Sequence, residues 1–313
     1  MGLRQGAGGD HLTEHSFDSA FDAYEAVRHR LPGAQTAQPH PRRIETLAEI
    51  VDDFDAFFLD AFGVLNIGET AIPGVAERIA DIRAAGKQVL VVSNAAGFPQ
   101  AALIDKYHRL GFDFATEQVV TSRAALLAGL DGRRDLHWGL MATRSTGLRD
   151  LEDLTLTYLE EDPAAYDAVE GFLMVGSAAW TGERQTLMEA ALKGRPRPVL
   201  VGNPDIVAPR ETGFSIEPGH FAHRLADRTG VQPQFFGKPF HNIYDLAFAR
   251  LDPLPPRSRI LMVGDSLHTD ILGAQTAGIA SALVADYGFF QGRDVEQAIR
   301  TAGIAPDYVT NRP

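Results

Sequence analysis

Phe57-Phe58-Leu59-Asp60-Ala61-Phe62-Gly63-Val64-Leu65 is the stretch on which the fold turns. Its apolar beginning, Ala56 to Leu59, reads as a fully buried strand. The strand ends in a carboxylate, Asp60, and Gly63 lets the chain turn away. In open α/β sheets, ligands bind beyond the carboxyl ends of the strands, so Asp60 stands where a reacting group belongs. Ser93-Asn94, Lys238, and Asp265 with Asp270 each follow or flank another apolar run. A sheet aligning those run ends gathers these side chains around Asp60.

Working outward, the pattern from Ile44 is βαβα. A helix Ile44–Asp52 leads into the strand at Ala56, and Pro73 sits at the first turn of a helix that runs to Ala85 before Gly86. Strand Val89–Val92 ends at Ser93-Asn94, Pro99 opens the next helix, and Val119-Val120 precedes helix Arg123–Leu130. The alternation predicts a doubly wound parallel, Rossmann-like α/β sheet. Residues 131–230 change character, with strands at Trp138–Met141, Phe172–Val175 and Val199–Val201, and read as an inserted α/β domain. The first domain, 44–130, resumes over 231–313 with strands Gln234–Phe236, Ile260–Val263 and Ala282–Val284 and a last helix Val295–Ala302. Residues 1–43 are polar and rich in Gly, His and Pro and read as an extension and linker. Phe17, Phe21, Tyr24 and Val27 nevertheless recur at helical spacing within it, a pattern compatible with a short helix over Ser16–Arg30.

Composition narrows the function. Lys and Arg total 29 against 41 Asp and Glu, a net charge of −12, which argues against nucleic acid and anionic membranes as partners. An anionic substrate then needs local help from a metal or a lysine. There is no cysteine, which removes disulfides and thiolate zinc sites. No apolar run approaches the ~20 residues of a membrane span, and the N-terminus lacks a signal-peptide core. The expectation is a soluble, cytoplasmic protein.

Asp60 and Asp265, both at strand ends, can share one Mg²⁺, which takes a few hard oxygens; alternatively, they are structural caps. Lys238, between Gly237 and Pro239, offers a point charge to a phosphate. Ser93 offers a hydroxyl and Asn94 an amide, both also common in turns.

Read in order, these phrases resemble the haloacid dehalogenase superfamily, and most closely its class IIA branch of NagD-like and pyridoxal-phosphate phosphatases. The resemblance spans Ile44 to the C-terminus. It rests on Leu59-Asp60-Ala61-Phe62-Gly63-Val64-Leu65 with Ala71-Ile72-Pro73-Gly74, on Val91-Val92-Ser93-Asn94, on Gly237-Lys238-Pro239, and on Gly264-Asp265-Ser266-Leu267-His268-Thr269-Asp270-Ile271. Gly202-Asn203-Pro204-Asp205 is typical of the branch's cap.

The resemblance implies an Asp60 nucleophile that forms an aspartyl-phosphate, with Mg²⁺ held by Asp60, the Phe62 carbonyl and Asp265. It implies a phosphoryl site at Asp60, Ala61, Phe62, Ser93, Asn94 and Lys238, and Asp270 orienting Lys238 or a metal-bound water. The insert becomes a cap that reads a small phosphorylated metabolite, with Asn203 and Asp205 reaching inward, and a cap-to-cap homodimer fits this reading.

Phe62 departs from the family pattern, where a second aspartate protonates the leaving oxygen and activates water. Such help is worth about 10²–10⁴-fold in rate. The substitution is compatible with a slow or specialised phosphatase whose acid comes from His268, His241 or Asp205. It is also compatible with a phosphotransferase and with a non-catalytic phosphate-binding protein. The haloacid dehalogenases carry an aromatic residue here too. They lack the Gly264-to-Asp270 phrase and use a helical cap for which Leu65–Val92 is too short.

Overall fold

The computed structural model describes residues 16–33, 40–210 and 213–313. Two large sheets are built from β1 (Arg42–Ile44), β2 (Ala56–Leu59), β3 (Gln88–Ser93), β4 (Val119–Thr121), β5 (His137–Met141), β6 (Thr155–Tyr158), β7 (Gly171–Met174), β8 (Val199–Val201), β9 (Gln234–Phe235), β10 (Ile260–Gly264), β11 (Ala280–Val284) and β12 (Tyr308–Thr310). Two short hairpins stand apart from them, Asn66–Ile67 with Thr70–Ala71 and Val207–Pro209 with Phe214–Ile216.

The main sheet has seven strands in the order β1-β12-β11-β10-β2-β3-β4, and every neighbouring pair is parallel. Alternation within β2 divides two apolar layers. Phe57 and Leu59 point to one side with Val89, Val91, Leu261 and Val263, whereas Phe58 points to the other with Leu90, Val92, Ile260 and Met262. Both faces are covered, so near-continuous apolar runs are what the central strands require. Each large side chain buried this way contributes about 1.5–3 kcal/mol.

Register delivers the polar ends to one place. Leu59 lies opposite Val263 on one side and Val91 on the other. Asp60, one residue on, therefore neighbours Asp265 and Ser93, each two residues beyond its partner. The second sheet, also parallel, runs β9-β8-β7-β5-β6, with helices Gly182–Gly194 and Pro218–Thr229 packed on it.

Several expectations need correction. The strand at Gln234 was placed with the resumed first domain, but β9 pairs with β8 at the edge of the second sheet, so sheet membership crosses the 230/231 boundary. Ile44–Asp52 is not one helix. Ile44 ends β1, paired to β12, and Leu47–Asp53 forms tight helical turns capped by Thr46. Arg42-Arg43 at a sheet edge carries no apolar alternation to announce a strand. Nor is the chain before residue 44 a loose extension throughout. Phe17–Ala26 is a helix, and Ala20, Phe21 and Tyr24 on it are buried against Leu267, Phe289 and Phe290.

Candidate active site

The strand ends converge on three carboxylates and one ammonium. Lys238 Nζ lies 2.6 Å from Asp60 Oδ1 and 2.7 Å from Asp270 Oδ1. Asp270 Oδ2 accepts the backbone N–H groups of Asp265 and Ser266, each at 3.1 Å. The wide helical turn Leu267–Ile271 brings Asp270 back under the end of β10 to do this. Asp265 Oδ2 accepts the Phe289 N–H at 2.8 Å. Oxygens of Asp60, Asp265 and Asp270 all lie within 4.8 Å of one another.

Exposure separates their roles. The side chains of Lys238 and Asp270 are 2% and 0% exposed, while Asp60 keeps 13% and stays within reach of a ligand. Burial pushes the Asp60 carboxyl up to about 6 against the pull of Lys238. Burial and the charges of Asp270 and Asp60 hold the Asp265 carboxyl well above its usual range. Burial alone would discharge Lys238, but Asp270 and Asp60 keep its ammonium charged, above its ordinary value. Crowded carboxylates of this kind are stabilised by a cation.

The donor set suits a hard divalent ion. Asp270 is spent on Lys238 and two backbone N–H groups, which leaves Asp60 and Asp265 with carboxylate oxygens to offer. The turn's own hydrogen bonds, from Leu65 and Asn66, go to the Ala61 carbonyl and leave the Phe62 carbonyl uncommitted. Two glycines in the left-handed region shape the cradle. A Cβ on Gly63 (φ 74°) would meet Asp265 Oδ2 at 2.3 Å, and one on Gly288 (φ 69°) would meet it at 1.9 Å.

Asp60, Lys238 and Asp265 line a cavity of about 560 Å³, with Ser93, Phe62, Asn203 and Asp205 also in its wall. Asn94 was expected to donate to a phosphoryl group, but its side chain is already engaged. Its Nδ2 donates to Asp205 Oδ1 (2.7 Å) and to the Lys238 carbonyl (2.9 Å), and its Oδ1 accepts the Lys238 N–H (2.7 Å). It is a bracket for the lysine. Asn203 is likewise used within the insert, accepting from Asp205 N (3.0 Å) and donating to Glu217 (3.2 Å). Among the described residues Asp205 Oδ2 has no hydrogen-bond partner, and burial pushes the Asp205 carboxyl up to about 8. The Ala61 N–H turns onto the Asp60 carboxylate.

The histidines named as substitute acids lie elsewhere. His268 is buried against Glu25 at 2.6 Å, held by burial below its usual value as a neutral imidazole. His241 is exposed and paired with Asp245. Of the candidate acids only Asp205 lines the cavity.

Sequence reasoning passed over Tyr24, Lys106, Arg210 and Glu217, all in the wall. Lys106 Nζ and the Arg210 guanidinium each stand 5.2 Å from the Phe62 ring centre, one from each side of the core–insert junction. Only for Tyr24 was there a signal, the apolar stripe of its helix.

Residues 57–148 match the family described as haloacid dehalogenase-like hydrolase, and residues 235–312 match the HAD-hydrolase-like family. The chain is 24% identical over 285 residues to a 4-nitrophenylphosphatase of Schizosaccharomyces pombe, covering 83% of this chain and 92% of that one. It superposes on the crystal structure of a possible sugar phosphatase from Cytophaga hutchinsonii with a TM-score of 0.75 at 25% identity, covering 87% and 98% of the two chains. It also superposes on the Mycobacterium tuberculosis glycerol phosphate phosphatase crystallised with magnesium, with a TM-score of 0.62 at 24% identity, covering 76% and 69%.

Proposed function

This chain belongs to the haloacid dehalogenase-like hydrolases, and from that premise we propose that it is a magnesium-dependent phosphatase of small phosphate monoesters, working through an aspartyl-phosphate on Asp60. The observation that carries the reading is the Lys238 ammonium, 2.6 Å from Asp60 and 2.7 Å from Asp270, beside the carboxylate cluster at the cavity floor. A neighbour of this fold, the mycobacterial glycerol phosphate phosphatase, was crystallised in complex with magnesium, which supports the choice of ion.

Asp60, Asp265 and the Phe62 carbonyl would hold the magnesium in this reading. When bound, the ion offsets the repulsion between an attacking carboxylate and the phosphoryl oxygens. The Asp60 carboxylate attacks phosphorus, and the bond to the ester oxygen breaks. Lys238 neutralises the charge that gathers between Asp60 and the phosphoryl group, and Ser93 donates its hydroxyl to that group. Asp270 keeps Lys238 aimed at Asp60. In the second half, water attacks the aspartyl-phosphate and frees inorganic phosphate and Asp60.

Phe62 can carry no proton, so the leaving oxygen needs another acid. Asp205 takes that part: it lines the cavity, has a free oxygen and is held protonated near neutral pH by burial. It returns to the acid form by accepting the water proton in the second step. The insert acts as the cap that carries it.

Hydrolysis of 4-nitrophenyl phosphate and glycerol phosphate, with Mg²⁺ and with chelator, tests the reading. The expected result is turnover that chelator abolishes and that Asp60→Asn eliminates. Full activity in Asp60→Asn would reject the nucleophile.

A further inference from the structure

The N-terminal helix Phe17–Ala26 lies before both family-matched segments, yet it touches the main sheet and the insert at once. On the main-sheet side the Phe17 ring packs against Phe289 (5.2 Å) and Phe290 (5.4 Å). The Tyr24 ring stacks on His268 at 5.0 Å and 11°, and Glu25 accepts from His268 at 2.6 Å. On the insert side the Tyr24 oxygen accepts the Ile206 N–H at 3.1 Å. Arg30, just past the helix, pairs with Asp227 on insert helix Pro218–Thr229.

The Tyr24 contact meets the insert at one loop. Ile206 follows Asp205, whose side chain is held by Asn94, and Asn94 brackets the peptide of Lys238. A continuous set of contacts thus runs from the N-terminal helix through Tyr24, the Asn203–Val207 loop and Asn94 to Lys238 and Asp60. Tyr24 is 3% exposed and its remaining surface lines the cavity.

We infer that the N-terminal segment is a clasp that fastens the insert to the main sheet, and that Tyr24 is a positioning residue that fixes the Asn203–Val207 loop over Asp60. Its position follows from a division of labour within one side chain. The ring belongs to the main-sheet core through His268, while the oxygen belongs to the insert through the Ile206 N–H. Only a tyrosine, with an apolar body and a polar tip, spans both. The inference leans on the phosphatase reading only in treating this cavity as a reaction site.

Hydrogen exchange on the full-length protein tests it without turnover. Tyr24→Phe keeps the ring stack and removes the acceptor. Exchange in peptides covering Ile206 and Val207 should rise about fivefold to tenfold, the worth of one net hydrogen bond, while β2 and β10 stay protected. Arg30→Ala, which leaves Tyr24 in place, should shift the same peptides by a smaller factor. Unchanged exchange in that loop, or an equal rise in β2 and β10, would overturn the clasp, and this outcome is readable even if no phosphate ester is hydrolysed. With 4-nitrophenyl phosphate as substrate, Tyr24→Phe should raise KM several-fold with kcat nearly kept. A KM that stays in place would overturn the positioning role of Tyr24.

Discussion

Two aspartates look into the same cavity from opposite walls, and their neighbours treat them differently. Asp60 on the floor has an ammonium at 2.6 Å, while Asp205 on the roof has one amide at 2.7 Å. Burial raises both, yet Asp60 stops at about 6 and Asp205 goes to about 8. Lys238 pulls both down, in contact with Asp60 but only from a distance at Asp205, where the Asn94 amide is the larger pull. In the proposed reaction the first would attack as a carboxylate near neutral pH and the second would give up a proton. Two carboxyls in one pocket can be assigned to opposite roles when their surroundings push them apart.

The contrast is broken hardest by removing that cation. Lys238→Met strands Asp60 and Asp270 with no counter-charge, a change that costs about 3–5 kcal/mol for a buried pair. Urea unfolding should show the full loss at neutral pH and a smaller one at low pH, where the stranded carboxyls take up protons. Activity should vanish. An unchanged unfolding midpoint would mean that the floor does not depend on its lysine.

Asp205→Asn removes the roof acid and should cut kcat on glycerol phosphate by about 10²–10⁴-fold, and far less on 4-nitrophenyl phosphate, whose leaving group needs little protonation. In the native enzyme the protonated form is the working one, so kcat should fall as pH rises through about 8, and the variant should lose that limb. Equal losses on both substrates would deny Asp205 the role of acid.

Phe62→Asp supplies a floor acid instead. It should raise the rate on glycerol phosphate more than on 4-nitrophenyl phosphate, by up to about 10²-fold. The gain should be larger when Asp205 is already Asn. No gain in either background would mean that proton supply does not limit the reaction.

The smallest effect is on stability. The folded-state value of Asp205 lies above the unfolded one, so the native protein keeps a proton that the unfolded chain has released. Asp205 therefore costs nothing below about 4, costs progressively more as pH rises towards about 8, and levels off above. Asp205→Asn should flatten that decline by about 2–4 °C in Tm for each kcal/mol relieved. A decline of the same slope in both proteins would show that Asp205 is not held protonated by the fold.

Much of the floor was legible in the chain. A strand end followed by a carboxylate is a local feature, and parallel register turns several such ends into one site. Asp60, Ser93 and Asp265 could therefore be brought together from their apolar runs alone. The roof depends on partners far apart in sequence. Nothing local to Asn94 says that its amide is spent on Asp205 and Lys238, and nothing local to Asn203 says that it serves its own loop. β9 is two residues long and stands beside the lysine loop, so its sheet could only be settled by pairing. The helix at Phe17 showed its apolar stripe, but a stripe does not name the surface that it covers.

The direct test is to quench a steady-state reaction in acid and map the phosphorylated peptide by mass spectrometry. The expected result is one added phosphoryl group on the peptide containing Asp60, absent without Mg²⁺ and absent in Asp60→Asn. Turnover with no phosphorylated Asp60, or with the group on another residue, would contradict it.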